Sequence, residues 1–177
     1  MSAAIAILLV CLSATAEIHQ VRRIVDVVKV GDTASERDHD YAGEEVTTGV
    51  SGGKAFRQTR NWMRYALKVY EDTEVTVACT FVGSDGARVP FELVVEDRLI
   101  ATHVFTSPST GPAIAELRVP FALTKGKTNI MVMLRAAKGA NGPPPALIEL
   151  RTIQDHLEHG PVPIPVLASA RSGGSKQ

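Results

Sequence analysis

An all-β fold is what this sequence predicts: an antiparallel β-sandwich or jelly roll of about eight short strands. Three observations carry that expectation. Short apolar runs alternate with polar residues at a period of two. Turn signals rich in glycine, proline, asparagine and aspartate separate those runs. No segment of ordinary helical length carries convincing end caps. The chain has 177 residues, enough for one domain with a hydrophobic core, expected over residues 20–156.

Ile24 to Val30 (IVDVVKV) reads as a first strand. In NWMRYALKVY, alternation puts Tyr65, Leu67 and Val69 on one face and Arg64, Ala66 and Lys68 on the other. Glu74 to Val82 is the clearest strand, with Val75, Val77, Cys79 and Phe81 opposite Thr76, Ala78 and Thr80. Gly83 to Gly86 (GSDG) is a turn. PFELVVED and RLIATHVFT follow, joined tightly through Glu96, Asp97 and Arg98. After the break SPSTGP, Ala113 to Phe121 sets Ala115, Leu117, Val119 and Phe121 against Glu116 and Arg118. Pro120 cannot donate to a central ladder, so it belongs at a strand end or edge. Lys125 to Lys127 (KGK) is a turn. Asn129 to Ala136 is apolar on both faces and reads as a central strand, and Ala146 to Ile153 is the last strand.

Between the first strand and the Trp62–Tyr70 strand lies GDTASERDHDYAGEEVTTGVSGG, Gly31 to Gly53. It shows no clean period and reads as a long connection that crosses or covers the sandwich. Ordering it costs about 1–2 kcal/mol per residue in backbone entropy. Packing, a cation or a sugar must offset that cost, with packing ranked first.

The ends are read separately. Ala3 to Leu12 is an apolar run followed by Ala14-Thr15-Ala16, which has the shape of a signal peptidase site. No Lys or Arg precedes it, so residues 1–16 stay open between a signal peptide, a core strand and the edge of a longer protein. A cleaved leader implies a secreted or periplasmic location; an uncleaved one implies the cytoplasm. The run is far shorter than the roughly 20 residues of a membrane span, so no transmembrane span is expected. The proline-rich and then small, polar residues 157–177 read as a flexible tail.

Formal net charge is zero, so no global field favours nucleic acid or an anionic membrane. The bases and aromatics of KAFRQTRNWMR are too few to overturn that, and no nucleic-acid partner is expected. Cys11 and Cys79 do not make a disulfide framework, and Cys79, in a strand pattern, reads as a small buried hydrophobe. No nucleotide-binding glycine motif, zinc motif or nucleophile elbow occurs. Glu44 and Glu45 point to opposite sides of an extended chain, so no catalytic carboxylate pair is assigned. Asp38 and Asp40 offer oxygen ligands to a structural calcium, with His39 between them; no other cofactor is expected.

Trp62, Tyr65 and Tyr70 are nearly all the polar-edged aromatics. Two readings stand. Trp62 fills the core with its indole N–H bonded to a loop carbonyl, or Trp62, Tyr65 and Tyr70 form a sugar-stacking face with Asp38 and His39 holding hydroxyls.

The run GDTASERDHDYAGEEVTTGVSGGKAFRQTRNWMRYALKV, with GSDG, PFELVVEDRLIATHVF, VPFALTKGKTNIMVMLRA and ALIELRTIQ in that order, resembles the C-terminal β-sandwich domain of bacterial β-L-arabinofuranosidase-like glycoside hydrolases of family 127 and relatives. The likeness spans roughly Ile24 to Asp155, and GDxxSExxH together with LTKGK carries it. In such enzymes the resemblance implies a preceding helical barrel whose zinc is held by cysteines and a glutamate. Cys11 and Cys79 cannot stand in for that site. The resemblance therefore implies a non-catalytic accessory domain supporting a glycoside hydrolase catalytic domain, not an enzyme. The alternative is a freestanding module that binds arabinose-containing or other plant polysaccharide. Where that domain has a glycine pair, this chain has Arg60-Asn61, so no sugar-contacting role is carried to those two residues.

Overall fold

Side chains alternate across an extended chain, so an apolar residue at every second position buries one face and wets the other. In the computed structural model, which describes residues 18–71, 73–83, 89–106 and 111–159, that pattern builds nine strands among the described residues. They are β1 (Ile18–Lys29), β2 (Ala42–Ser51), β3 (Lys54–Lys68), β4 (Val75–Phe81), β5 (Phe91–Val95), β6 (Arg98–His103), β7 (Ala113–Val119), β8 (Asn129–Ala136) and β9 (Leu147–His159). One short helix, α1 (Thr33–Asp38), follows β1. The chain divides into two units. One is Val21–His156; of the other, Met1–Gln20 with Leu157–Gln177, the described residues are the strand ends 18–20 and 157–159. The signal-peptide reading of residues 1–16, Cys11, most of the GSDG turn, most of SPSTGP and the tail from residue 160 lie outside the described residues.

Within Val21–His156 the strands form an antiparallel β-sandwich. One layer runs β2-β3-β8-β5-β6 and the other β1-β9-β4-β7, and they join where Arg57 of β3 pairs with Leu147 of β9. The inner faces meet as the alternation dictates. Met63, Tyr65 and Leu67 of β3, Phe91, Leu93 and Val95 of β5, and Ile130, Val132 and Leu134 of β8 face Val75, Val77, Cys79 and Phe81 of β4 and Leu147 and Leu150 of β9. Each is at most 1% exposed. Burying a large apolar side chain contributes about 1.5–3 kcal/mol, so this double layer supplies most of the driving force. The Phe81 and Phe91 rings, 4.9 Å apart, tie the layers together. Burial pushes the Cys79 thiol up to about 12, which leaves it an inert hydrophobe.

The stretch Gly31–Gly53 carries the chain from the layer of β1 to the layer of β3, but not as a plain connection. It forms α1 and then β2, an edge strand that makes a hairpin with β3 through Gly52 and Gly53. Both glycines have positive φ, 56° and 75°, as a two-residue turn matched to strand twist requires. The strand escaped the pattern because β2 is largely solvated on both faces, so no alternation marks it. The helix escaped because six residues are too few to show a period. Phe121 is a second correction: it leaves β7 for a 3-10 turn and is 39% exposed, whereas Val119 ends the buried series. Pro120 follows the last residue of β7, where its missing N–H costs no ladder bond.

The motif GDxxSExxH is a staple. Asp32 caps α1, its Oδ1 accepting from the Ser35 amide at 2.8 Å. Ser35 Oγ accepts from the Lys29 amide at 3.0 Å. Glu36, 4% exposed, accepts from the Gly31 amide at 2.8 Å and from Arg57 Nε and Nη2 at 2.5 Å each. His39 Nδ1 donates to the Ser35 carbonyl at 2.5 Å, and Nε2 lies 3.2 Å from Asp26 Oδ1. Asp26 Oδ2 in turn accepts from the Lys68 amide at 2.7 Å. Packing and these bonds together offset the entropy of the stretch.

Arg57 lies over the Tyr41 ring, 4.4 Å from its centre, and that ring packs 5.1 Å from Tyr65. Among the described residues the buried Tyr65 hydroxyl has no hydrogen-bond partner. An unpaired buried hydroxyl costs about 1–3 kcal/mol. Tyr65→Phe is therefore expected to leave the melting temperature unchanged or higher in a thermal scan; a clear drop would show that the hydroxyl makes a stabilising bond.

Candidate functional site

Because Met63, Tyr65 and Leu67 point inward, parity sends Trp62, Arg64, Ala66 and Lys68 to the outer face of β3. Register then assembles a row across four strands. Trp62 pairs with Glu44 of β2 on one side and Arg135 of β8 on the other, and Arg135 pairs with Glu92 of β5. The half-buried Trp62 is oriented by its indole Nε1, which donates to Glu44 Oε2 at 2.9 Å. Arg135 Nε donates to Glu92 Oε2 at 2.5 Å. The Arg64 guanidinium carbon sits 5.7 Å from the Trp62 ring centre.

A bulge enlarges this surface. Pairing jumps from Glu44–Trp62 to Val46–Thr59, so Arg60 and Asn61 have no partner on β2 in the register. Thr59 Oγ1 holds the irregularity, donating to the Glu44 carbonyl at 2.9 Å and accepting from the Asn61 amide at 3.0 Å. Bulges re-aim side chains. Here Arg60 and Asn61, both exposed, join Arg135 and the loop residues Ala137, Asn141 and Pro143 around a hollow of about 570 Å³. The result is an oriented aromatic ring beside carboxylates, guanidiniums and an amide. Such a set can stack on the C–H face of a ring and take hydrogen bonds to and from hydroxyls.

The other residues expected at a sugar site do not gather here. Tyr65 is wholly buried in the core, so it is corrected from a ligand-facing to an internal residue. Tyr70 is 59% exposed but lies beyond the end of β3, roughly 26 Å along the chain from Trp62 at strand rise. Its backbone is tied to Gln154 at both its N–H and its carbonyl. His39 is 9% exposed and faces Ser35 and Asp26, which occupies it structurally. Asp38 is exposed on α1 and lies 3.7 Å from Arg37. Asp40 sits in a left-handed turn with φ 49°. Among the described residues no group of three or more His, Cys, Asp or Glu side chains is placed to hold a metal ion.

Trp62 departs from the core reading: it is half-buried on the outer face, and its indole partner is a carboxylate, not a loop carbonyl. Carrying the alternation of β3 two residues back from Arg64 would have placed it outside. Glu44, Arg135 and Glu92 had no such signal, since each reaches the row only through long-range strand pairing.

Residues 20–153 match the model of a family described as a family of unknown function (DUF6805). No curated protein matches the chain in sequence. Among solved structures, a family 35 carbohydrate-binding module from an environmental isolate aligns with a TM-score of 0.56 and 15% identity, over 76% of this chain and 96% of that one. The ANX1 ectodomain from Arabidopsis thaliana aligns with a TM-score of 0.56 and 10% identity, over 81% of this chain and 52% of that one. A family GH115 4-O-methyl-α-glucuronidase with specificity for decorated arabinogalactans aligns with a TM-score of 0.50 and 11% identity, over 79% of this chain and 19% of that one. These likenesses establish a shared sandwich fold. No helix among the described residues is long and apolar enough to cross a membrane.

Proposed function

We propose that this chain, which belongs to the DUF6805 family, is a non-catalytic carbohydrate-binding module whose site is the outer face of β3 around Trp62. The observation that carries the reading is the orientation of Trp62: a half-buried indole held by Glu44 in a row with Arg135 and Glu92, beside the hollow of Arg60 and Asn61. A ring held in place loses little entropy when a sugar stacks on it, and the charged groups on either side offer both donors and acceptors to hydroxyls. The sandwich shared with a family 35 carbohydrate-binding module supports the same reading. Arabinose-containing plant polysaccharide is the first ligand class to try, on the strength of the resemblance to β-L-arabinofuranosidase-like hydrolases.

Trp62 is the only tryptophan, so its fluorescence reports the site directly. Titration with arabinose-containing oligosaccharides is expected to change that fluorescence and to saturate. By calorimetry, Trp62→Ala should weaken binding by about thirtyfold or more, the scale of a central aromatic anchor. Since Trp62 lies outside the core, the variant should still unfold cooperatively. Absence of any response at millimolar sugar, or unchanged affinity in the variant, counts against the site.

A second reading makes the same sandwich an accessory domain supporting a glycoside hydrolase. It is favoured by the combination of GDxxSExxH and LTKGK, and by the alignment of the chain onto a fifth or so of a GH115 glucuronidase. On that reading, joining this chain to a β-L-arabinofuranosidase-like catalytic domain lacking its own sandwich should raise that domain's melting temperature whether or not Trp62 is present.

A further inference from the structure

The opposite layer carries a second concavity whose chemistry differs from that of the Trp62 face. On the outer side of β4 the residues are small, and their cross-strand neighbours are long. Thr80 lies between Ile114 of β7 and Glu149 of β9, and Ala78 between Glu116 and Arg151. The strand therefore forms a trough floor between higher walls. At the Thr80 end the trough opens into a cleft of about 480 Å³, closed by Lys29 at the end of β1 and Lys54 at the start of β3. That volume falls in the range of small-molecule sites.

The charges in this cleft are unequal in what they leave free. Asp32 is engaged in capping α1, and Glu149 is engaged by Arg151 Nη2 at 2.5 Å. Lys29 and Lys54 are both exposed, and among the described residues neither ammonium has a carboxylate partner. Arg151 lines the cleft with a side chain 38% exposed, and among the described residues its Nε has no hydrogen-bond partner. Two ammoniums without carboxylate partners beside a guanidinium favour an oxyanion. The remaining lining is apolar: Val30 and Ile148 are buried, and Ile114 stands 59% exposed as a side wall. Gly31, two residues past β1, permits a close approach to β3 in the cleft wall, because a Cβ there would lie 2.6 Å from Ala55 Cβ.

We propose that this cleft is a second binding site, on the layer opposite Trp62, for a small organic anion: one carboxylate-sized charge carried on a compact apolar body. Lys29, Lys54 and Arg151 receive the charge, and Ile114, Val30 and Ile148 receive the body. The site is independent of the sugar reading of Trp62 and shares no residue with it.

The test is a set of titrations of the ¹⁵N-labelled full chain followed by amide chemical shifts. Cyclohexanecarboxylate is the first probe, cyclohexanemethanol removes its charge, and inorganic sulfate removes its body. Glucuronate distinguishes a sugar acid from a non-sugar acid as the preferred source of the anion. The expected result is saturable shifts at Gly31, Lys54, Ala55 and Arg151 with cyclohexanecarboxylate or glucuronate, weakened by added salt. Lys29→Gln with Lys54→Gln should weaken that binding by about tenfold or more, without lowering the melting temperature. Trp62→Ala should leave it unchanged. Equal binding of cyclohexanemethanol, equal binding of sulfate, insensitivity to the lysine pair, or no shifts with either organic acid would each overturn the proposal.

Discussion

Replacing Glu36 with alanine is expected to cost about 3–5 kcal/mol of unfolding free energy, the scale for breaking a buried ion pair from one side. Glu36 is 4% exposed and its carboxylate accepts from Arg57 Nε, Arg57 Nη2 and the Gly31 amide. Removing it leaves a guanidinium whose side chain is 19% exposed without its partner, pressed against the Tyr41 ring. A guanidinium stays protonated in proteins, so Arg57 cannot shed its charge to escape once Glu36 is gone. It also frees the chain around Gly31 and the end of α1. Urea denaturation of Glu36→Ala, Arg57→Ala and the double variant measures this. The double variant should lose much less than the sum of the two, since both singles break one contact. A loss below about 1 kcal/mol for Glu36→Ala would place the pair among the weak surface ion pairs.

Phe91→Ala is expected to cost about 3–5 kcal/mol, through lost burial and a cavity that the two layers cannot fill by collapsing. Phe91 is wholly buried on β5, and its ring lies 4.9 Å from Phe81, 5.4 Å from His103 and 6.3 Å from Phe105. Phe81 belongs to β4 in the other layer, so the deletion loosens the contact between layers as well as within one. Guanidinium denaturation should show a lower midpoint with little change in slope, because the fold is retained. An effect under about 1 kcal/mol would mean that the aromatic contact between β4 and β5 contributes little to the core.

The strands that were legible are those that bury one face. Val75, Val77, Cys79 and Phe81 alternate cleanly because every second residue of β4 meets the opposite layer. β8 read as central, and it lies between β3 and β5. The Glu96–Asp97 connection read as tight, and both residues adopt positive φ, 50° and 60°, in the turn between β5 and β6. Edge structure was not legible. β2 is solvated on both sides, and its place is decided by pairing with β3, which no local pattern records.

The same division runs through the site residues. Trp62 was legible as a residue of interest because it is the sole tryptophan, but its side of β3 stood open between core and ligand face. His39 and the acidic residues of GDTASERDHDY stood out by composition, and composition does not say whether a charged side chain is a ligand or a staple. Glu36 and His39 became staples when β3 brought Arg57 beside Glu36 and β1 brought Asp26 beside His39.

By itself, then, the amino-acid order determined the fold class, the inward faces of β4 and β5 and the turns at Glu96–Asp97 and Lys125–Lys127, because all three follow from periodicity and backbone preference within a few residues. Only tertiary structure decided that Glu44, Trp62, Arg135 and Glu92 share a row, that Tyr65 is internal, and that Lys29, Lys54 and Arg151 converge on one cleft. Each of those arrangements is a matter of strand order and register between distant segments. Register is set by the burial of the whole inner face at once, so it cannot be read from any one strand.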